Sequence, residues 1–346
     1  MAKKGTTAGF DQLKLDMKSK QPARFYVFYG EEDYLRMDYI ARIKGLLLDD
    51  LTADFNFHRL NSETFSIELL ANSLEALPMM AERSVILVED VDLFALDGDS
   101  REKLTGLLSD VPDYCCLILS YEEFKPDKRK KNLWEAISRN AVLVDFPYQS
   151  ETSLINWIGR HFRHEGKEID NRLCAYLLEL CGQSMTRLNG EIEKICAYSG
   201  ADTIVKADID AVVEPTLDAV VFQISDALAQ REFDRALERL HAVLKMQTDP
   251  ISIVATIGNQ MRRLNAAKIL QSEGKNAEDF MRLYGIQFSG LANKTMGQAR
   301  RLSERFCRQA VLLCCETDLR LKSSYGDGEE LAELLILQLA EEARHD

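Results

Sequence analysis

The sequence predicts an α/β region over residues 1–150, followed by helices alone to the C-terminus. Three observations predict this architecture. Short runs of consecutive apolar residues recur in the first part, as is typical of strands buried on both faces of a parallel sheet. Segments with apolar residues at helical spacing separate these runs. After Pro147 the strand pattern disappears and only helical spacing remains.

The elements of the α/β region alternate along the chain. Residues 8–21 are predicted to be helical, and Phe25–Tyr29 forms an apolar and aromatic run that ends at Gly30. Asp33 is suited to cap the helix that follows. Further strands are predicted over 55–60, 85–88, 114–119 and 141–144, and further helices over 66–77, 100–108 and 131–139. The helix before Pro78 is expected to end there, because proline cannot continue a helix.

The helical remainder divides at Pro215. Helices predicted over 151–165, 170–181, 184–199 and 207–213 form a small domain that closes at this proline. Later helices are predicted over 218–230, 232–247, 250–273, 276–284, 294–320 and 328–343, with breaks at glycine and proline. We therefore expect three domains, over residues 1–150, 151–215 and 216–346.

Composition narrows the possible functions. The 346 residues include 43 basic and 56 acidic ones, a formal charge of −13. Free-standing, non-specific DNA binding is not expected, because it needs clustered cations, although a local basic patch could still contact DNA within an assembly. No apolar run is long enough to span a membrane, and none follows the basic start as in a signal peptide. A cytoplasmic protein without a membrane partner is expected.

The cysteines point to no cofactor. The chain has eight, and none of them forms the C-x-x-C spacing of zinc and redox sites. We interpret them as buried free thiols that act as small apolar residues. Neither a metal nor another cofactor is expected.

A strand that ends at Gly30 and leads into a helix is where a phosphate-binding loop would lie. The residues that follow, Glu31, Glu32 and Asp33, lack the second glycine, the lysine and the hydroxyl of a working P-loop, and their carboxylates would repel a triphosphate. The acidic end of a later strand, Glu89-Asp90, is interpreted as solvated. No catalytic residue is predicted, and ATP hydrolysis is not expected.

Two other segments are candidate binding sites. Within residues 125–131, five cations stand just before a helix: Lys125, Lys128, Arg129, Lys130 and Lys131. They either form a solvated loop or contact DNA or an acidic partner. In the second segment, Leu77 and Pro78 are followed by Met79 and Met80 at a loop before a strand. The methionines either fill gaps in the core or form an adaptable binding surface.

Several of these segments together resemble a known family. In order along the chain they are Phe25 to Glu32 with Tyr34-Leu35, Leu77 to Arg83 leading into Val85 to Val88, Asp127 to Lys131, Glu191 to Lys194, and Gln260 to Arg263. These segments, in this order and at this spacing, resemble those of the delta subunit of the bacterial DNA polymerase III clamp loader. The missing P-loop lysine is part of the same resemblance. The resemblance extends over the whole chain.

This resemblance implies an AAA+-like first domain without a working P-loop, a small helical lid and a helical collar. It implies that Leu77, Pro78, Met79 and Met80 bind the ring-shaped sliding clamp (the beta subunit) as a hydrophobic wedge and stabilise its open form. The implied partners also include the other clamp-loader subunits, through the collar, and primed DNA within the complex. The chain would thus be a non-catalytic part of a replicative nucleotidyltransferase assembly.

The sequence departs from the family at one wedge position, where relatives often have phenylalanine and this chain has Met80. The cysteine-built zinc site of the family's ATPase and delta-prime relatives has no counterpart here, which favours delta over them. Two alternatives stay open: a divergent AAA+ ATPase with a non-standard nucleotide site, and a helical adaptor with a vestigial nucleotide fold. Nucleotide binding would separate the first from a clamp-opening subunit, and clamp binding would separate the second.

Overall fold

The computed structural model describes residues 6–286, 289–323 and 327–346. The runs of consecutive apolar residues form five strands, which lie side by side in one sheet. The strands are β1 (Phe25–Tyr29), β2 (Phe57–Asn61), β3 (Ser84–Glu89), β4 (Cys115–Tyr121) and β5 (Val142–Asp145). Their order is β2-β3-β4-β1-β5, and every neighbouring pair is parallel. The predicted parallel sheet is therefore confirmed.

Both faces of the sheet are covered by apolar side chains. Phe25 and Val27 of β1 lie in one hydrophobic cluster, and Tyr26 and Phe28 lie in the other. The helices of this part are α1 (Thr6–Ser19), α2 (Asp33–Leu47), α3 (Ala53–Asn56), α4 (Ile67–Glu75), α5 (Gly98–Ser109) and α6 (Lys131–Asn140). Because successive strand residues point to opposite faces, only a sheet covered on both sides buries such uninterrupted runs.

Two predicted boundaries in this part were wrong. The strand expected from Phe55 begins only at Phe57, since the residues before it form the short helix α3. The helix expected to reach Leu77 ends at Glu75, so that the chain is already extended at Ala76, before Pro78. The predicted start of this helix is confirmed, because the Ser66 hydroxyl accepts a hydrogen bond from the Leu69 N–H.

The chain divides into two compact units between Tyr148 and Gln149. The regular elements in the described part of the second unit are all helices, as the sequence predicted, apart from an isolated β-bridge between Glu168 and Thr203. Its helices are α7 (Glu151–His164), α8 (Asn171–Cys181), α9 (Met185–Tyr198), α10 (Lys206–Val212), α11 (Leu217–Ala229), α12 (Phe233–Lys245), α13 (Pro250–Ser272), α14 (Ala277–Tyr284), α15 (Ser289–Arg301), α16 (Glu304–Ser323) and α17 (Gly328–Arg344).

The helix predicted over 294–320 is two helices. The helix is interrupted between Arg301 and Glu304. There the Ser303 hydroxyl accepts a hydrogen bond from the Phe306 N–H, and the Ser303 backbone N–H donates to the Asp346 carboxylate. The predicted break over 326–328 begins at Gly326, which lies outside the described residues.

One large hydrophobic cluster of the second unit is built only from residues between 217 and 343. A polar contact lies inside it, where the Gln260 side chain donates to Ser225 and Gln298. The cysteines are free, as predicted, but Cys315 is exposed and Cys196 is half-buried, so burial was wrong for these two. None of the helices in the described ranges is long and apolar enough to span a membrane.

Candidate functional site

The segment between α4 and β3 presents apolar side chains to solvent. Leu77 is 73% exposed, Met79 58% and Met80 94%, whereas Pro78 is half-buried. Side chains this exposed do not fill the core, so the interpretation as core methionines is excluded. An exposed apolar cluster at a loop is instead typical of an interaction surface.

The backbone of Met80 adopts a left-handed conformation, with φ of 57°. A bulky residue other than glycine rarely adopts this conformation, because its Cβ is crowded by the neighbouring carbonyl. Strained residues of this kind persist where surrounding contacts fix the chain, and they occur often at functional sites. Here the strained residue is also the most exposed large hydrophobic side chain among the described residues.

Two buried or half-buried side chains fix the loop. The Asn56 amide nitrogen donates to the Met79 carbonyl at 2.8 Å, and its amide oxygen accepts from the Met79 N–H at 2.7 Å. At the end of the loop, the Arg83 guanidinium donates to the carbonyl oxygens of Pro22 at 2.6 Å and Ala23 at 3.1 Å. It also donates to the Cys115 carbonyl. The loop is therefore anchored in its middle and where β3 begins.

Sequence reasoning missed Asn56. The residue stands 23 positions before Met79 and lies in an apolar run that resembled a strand. A polar residue in such a run was the one available signal, but nothing in the sequence indicates which backbone group it contacts.

The Gly30 loop is closed by backbone hydrogen bonds. The Gly30 N–H donates to the Glu122 carbonyl at 3.2 Å, and the Glu32 N–H donates to the Phe146 carbonyl at 2.9 Å. Gly30 has φ of 128°, and a Cβ added there would lie 2.4 Å from the Phe146 carbonyl oxygen, so only glycine fits. Two of the amides that a phosphate-binding loop would offer to an anion are thus already bonded.

The buried charges of this loop also have contacts within the chain. The Arg36 guanidinium donates to the Gly30 carbonyl at 3.0 Å and to the Tyr121 carbonyl, and it pairs with Asp33 at 2.7 Å. Glu32 is only 4% exposed, and burial, together with the nearby Asp33 carboxylate, raises the pKa of its carboxyl to about 7. The buried cation is therefore held by neighbouring groups, and a carboxyl stands where a phosphate would have to approach.

The five cations of the basic run have different environments. Lys125 pairs with Glu123, Arg129 pairs with Asp127 at 2.9 Å, and the Lys128 ammonium lies 5.8 Å from the centre of the Trp134 ring. In contrast, Lys130 and Lys131 form no ion pair with any described residue. They stand at the N-terminus of α6, where unpaired cations are electrostatically unfavourable and an anion would be attracted.

The candidate sites lie at opposite edges of the sheet. The Met79–Met80 loop enters β3 at its amino end, whereas the Gly30 loop follows β1 and the basic run follows β4. Because these strands are parallel, their carboxyl ends share one edge of the sheet and their amino ends share the other. The structure thus brings the basic run to the same edge as the Gly30 loop and separates both from the methionines.

Comparison with known proteins gives matches over most of the chain. A family model described as "DNA polymerase III, delta subunit" matches residues 26–147, and one described as "DNA polymerase III delta subunit, C-terminal domain" matches residues 218–339. The "DNA polymerase III subunit delta" of Bacillus subtilis is 25% identical over 343 residues, which cover 95% of this chain and 96% of that protein.

One further protein and one solved structure are similar over nearly the full length. The "probable DNA polymerase III subunit delta" of Aquifex aeolicus is 21% identical over 313 residues, 89% of each chain. The solved structure of the Bacillus subtilis DNA clamp loader delta protein has a TM-score of 0.65 at 23% identity and covers 96% of this chain and 99% of its own. This likeness confirms the predicted fold, a parallel-sheet domain followed by helices.

Proposed function

Because the chain belongs to the family of DNA polymerase III delta subunits, we propose that it binds the sliding DNA clamp and holds it open during clamp loading. Leu77, Pro78, Met79 and Met80 form the clamp-binding element in this proposal. The exposure of Met79 and Met80 on an anchored loop is the observation that carries it.

The energetics of this loop suit a binding hot spot. Burying one methionine side chain in an apolar pocket is worth roughly 1.5–3 kcal/mol. Two such side chains at the centre of an interface could therefore supply much of its binding free energy. Methionine also adapts to pockets of different shape, which is compatible with Met80 at a position where relatives often have phenylalanine.

The subunit has no ATPase activity of its own in this proposal. The closed Gly30 loop supports this, because the N–H groups of Gly30 and Glu32 and the guanidinium of Arg36 are bonded within the chain. Control of clamp opening by ATP would then come from other subunits of the loader. A divergent ATPase is the alternative that nucleotide binding tests directly.

Residues 216–346 form the collar that contacts other clamp-loader subunits, and residues 151–215 form the lid. The separate hydrophobic cluster within 217–343 supports a collar with its own core. Leu312 and Leu319, both exposed and seven residues apart on α16, lie on one helix face and are candidates for a subunit contact. Lys130 and Lys131 are the cations of the basic run best placed to contact primed DNA within the complex.

The deciding experiment measures the affinity for the sliding clamp of the same organism. Replacing both methionines by alanine (M79A/M80A) should weaken clamp binding by about 2–5 kcal/mol, or some thirtyfold to several thousandfold. The matched control, M37A/M246A, removes two other exposed methionines and should leave affinity unchanged. The melting temperature of M79A/M80A should stay close to that of the unaltered protein, because neither side chain is buried.

An opposite pattern would contradict the proposal. Truncating buried methionines usually costs about 2–5 kcal/mol of stability each. A double variant that melts much earlier, yet binds the clamp normally while still folded, would show that the pair is structural.

A further inference from the structure

We infer that Asn56 is a positioning residue for the clamp: its carboxamide holds the Met79 backbone and thereby sets the direction in which Met79 and Met80 leave the surface. This inference rests on the proposed function and adds to it a residue outside the wedge segment. Asn56 itself is only 1% exposed, so it would act through Met79 and would not contact the clamp.

Both donors and the oxygen of the carboxamide take part in these contacts. Its nitrogen donates to the carbonyl oxygens of Thr52 and Met79, both at 2.8 Å, and its oxygen accepts from the Met79 N–H at 2.7 Å. A flipped amide would place its NH2 group against the Met79 N–H and its oxygen against two carbonyls. The hydrogen-bond pattern therefore fixes the orientation of the amide.

Asparagine is well suited to this position. Its donor and acceptor lie in one plane, so that it pairs with both polar groups of the Met79 backbone as a neighbouring strand would. An aspartate lacks the donor. A buried residue that cannot pair with these backbone groups loses the hydrogen bonds. It also leaves the buried N–H and carbonyl groups with nothing to replace the water that they lost on folding.

The contact matters because the loop has no regular secondary structure between Glu75 and Ser84. Asn56 is the side chain that holds the Met79 backbone, and the next residue, Met80, is in a strained conformation. A loop that is ordered before binding loses less conformational entropy when the clamp is bound. Asn56 therefore contributes to affinity by preorganising the two methionines.

Short helix α3 places Asn56 correctly. Asp49 stabilises the turn before it, since its carboxylate accepts from the Thr52 N–H at 2.9 Å and from the Thr52 hydroxyl at 2.7 Å. Thr52 in turn presents the carbonyl that binds the other hydrogen of the Asn56 amide. The turn and the helix thus fix the position of the amide.

The test is a double-mutant cycle on clamp affinity, measured well below the melting temperature. N56A should bind the isolated sliding clamp about five- to thirtyfold more weakly than the unaltered protein, the cost of ordering two side chains and their loop on binding. In the M79A/M80A background the same substitution should change affinity by less than about twofold, because the side chains that it positions are gone. N61A is the matched control, since Asn61 stabilises an exposed turn of the same unit and should leave clamp affinity unchanged.

The outcomes separate this inference from the proposed function. If M79A/M80A binds the clamp normally, the wedge itself is wrong and the inference falls with it. If M79A/M80A weakens binding but N56A does not, only the positioning role is overturned. An equal loss on N56A in both backgrounds also overturns it, since Asn56 would then act independently of the methionines.

Hydrogen exchange of the unaltered protein decides the matter should N56A fail to fold. The Met79 amide, bonded to a buried side chain, should exchange at least about tenfold more slowly than the Met80 amide. Equal exchange rates would show that the loop is not held and would overturn the positioning role.

Discussion

The backbone N–H of Glu32 donates to the carbonyl oxygen of Phe146 at 2.9 Å, which ties the loop after β1 to the residue that follows β5. The Phe146 N–H in turn donates to the Tyr29 carbonyl at 2.7 Å. These bonds continue the pairing of the two strands beyond the sheet. The loop is therefore fixed by the chain itself at the place where a nucleotide phosphate would need free amides.

We expect no binding of ATP with magnesium by the isolated protein. Nucleotide entry would have to break the Glu32–Phe146 bond and bring a triphosphate against the Glu32 and Asp33 carboxyls. The dissociation constant should be larger than about 1 mM, which corresponds to less than about 4 kcal/mol of binding free energy. Isothermal titration calorimetry measures this directly, and micromolar affinity would favour a divergent ATPase instead.

Replacing Glu32 by glutamine should stabilise the protein at alkaline pH. Burial raises the pKa of this carboxyl from its ordinary 4.5 to about 7, so the folded state holds a proton that the unfolded state has already released. Stability from this group is complete below the ordinary pKa and is lost as pH rises through about 7. The gain of E32Q in free energy of unfolding should therefore grow by about 1–3 kcal/mol between about pH 5 and pH 8.

Urea unfolding of E32Q at several pH values tests this expectation. E63Q removes an exposed carboxyl from a turn of the same unit and serves as the control, with no such growth across the range. A constant difference between E32Q and the unaltered protein at all pH values would show that the Glu32 carboxyl is ionised normally in the folded state.

Replacing Met80 by glycine should give a more stable fold than replacing it by alanine, while both changes weaken clamp binding. Glycine adopts the left-handed conformation at little cost, and the side chain that is lost is 94% exposed. The free energy of unfolding should rise by about 0.5–1 kcal/mol relative to M80A, which removes the side chain but keeps the strain. Thermal unfolding of the two variants makes the comparison, and an M80G less stable than M80A would show that the loop is not strained at this residue.

The sheet and the position of the methionines in a loop were predictable because both follow from local patterns, whereas the sequence left open whether the two side chains are buried or exposed. Uninterrupted apolar runs leave few alternatives to buried parallel strands, and a helix cannot pass Pro78. The anchor of the methionines was not predictable. Asn56 and Met79 meet only in the folded chain, and the strand-like run around Asn56 concealed the short helix that places it.

The break in the helix predicted over 294–320 has a similar cause. Ser303 is a good helix N-cap, but its own N–H is satisfied by the carboxylate of Asp346, the last residue of the chain. Local propensity does not show such a distant partner. The sequence also could not show which cations of the basic run are paired. Glu123 and Asp127 each lie within a few residues of several cations, and only the folded loop shows which cation each one binds.

Reversing the charge of Lys130 and Lys131 should impair DNA-dependent steps without unfolding the protein. Both residues lack an ion pair with any described residue. Lys131 is exposed and Lys130 is half-buried, and charges in contact with solvent seldom contribute more than about 1 kcal/mol to stability. If they contact DNA phosphates, K130E/K131E should weaken DNA binding by the assembled loader, and the dependence of affinity on salt should become less steep by about one to two ions.

K18E/K20E alters the net charge equally at two exposed lysines at the end of α1 and should leave DNA binding unchanged. Affinity for primed DNA at several salt concentrations, with the melting temperature of each variant, distinguishes the possibilities. An early-melting K130E/K131E would show that the run is structural, and equal DNA affinity for both charge-reversal variants would favour a solvated loop.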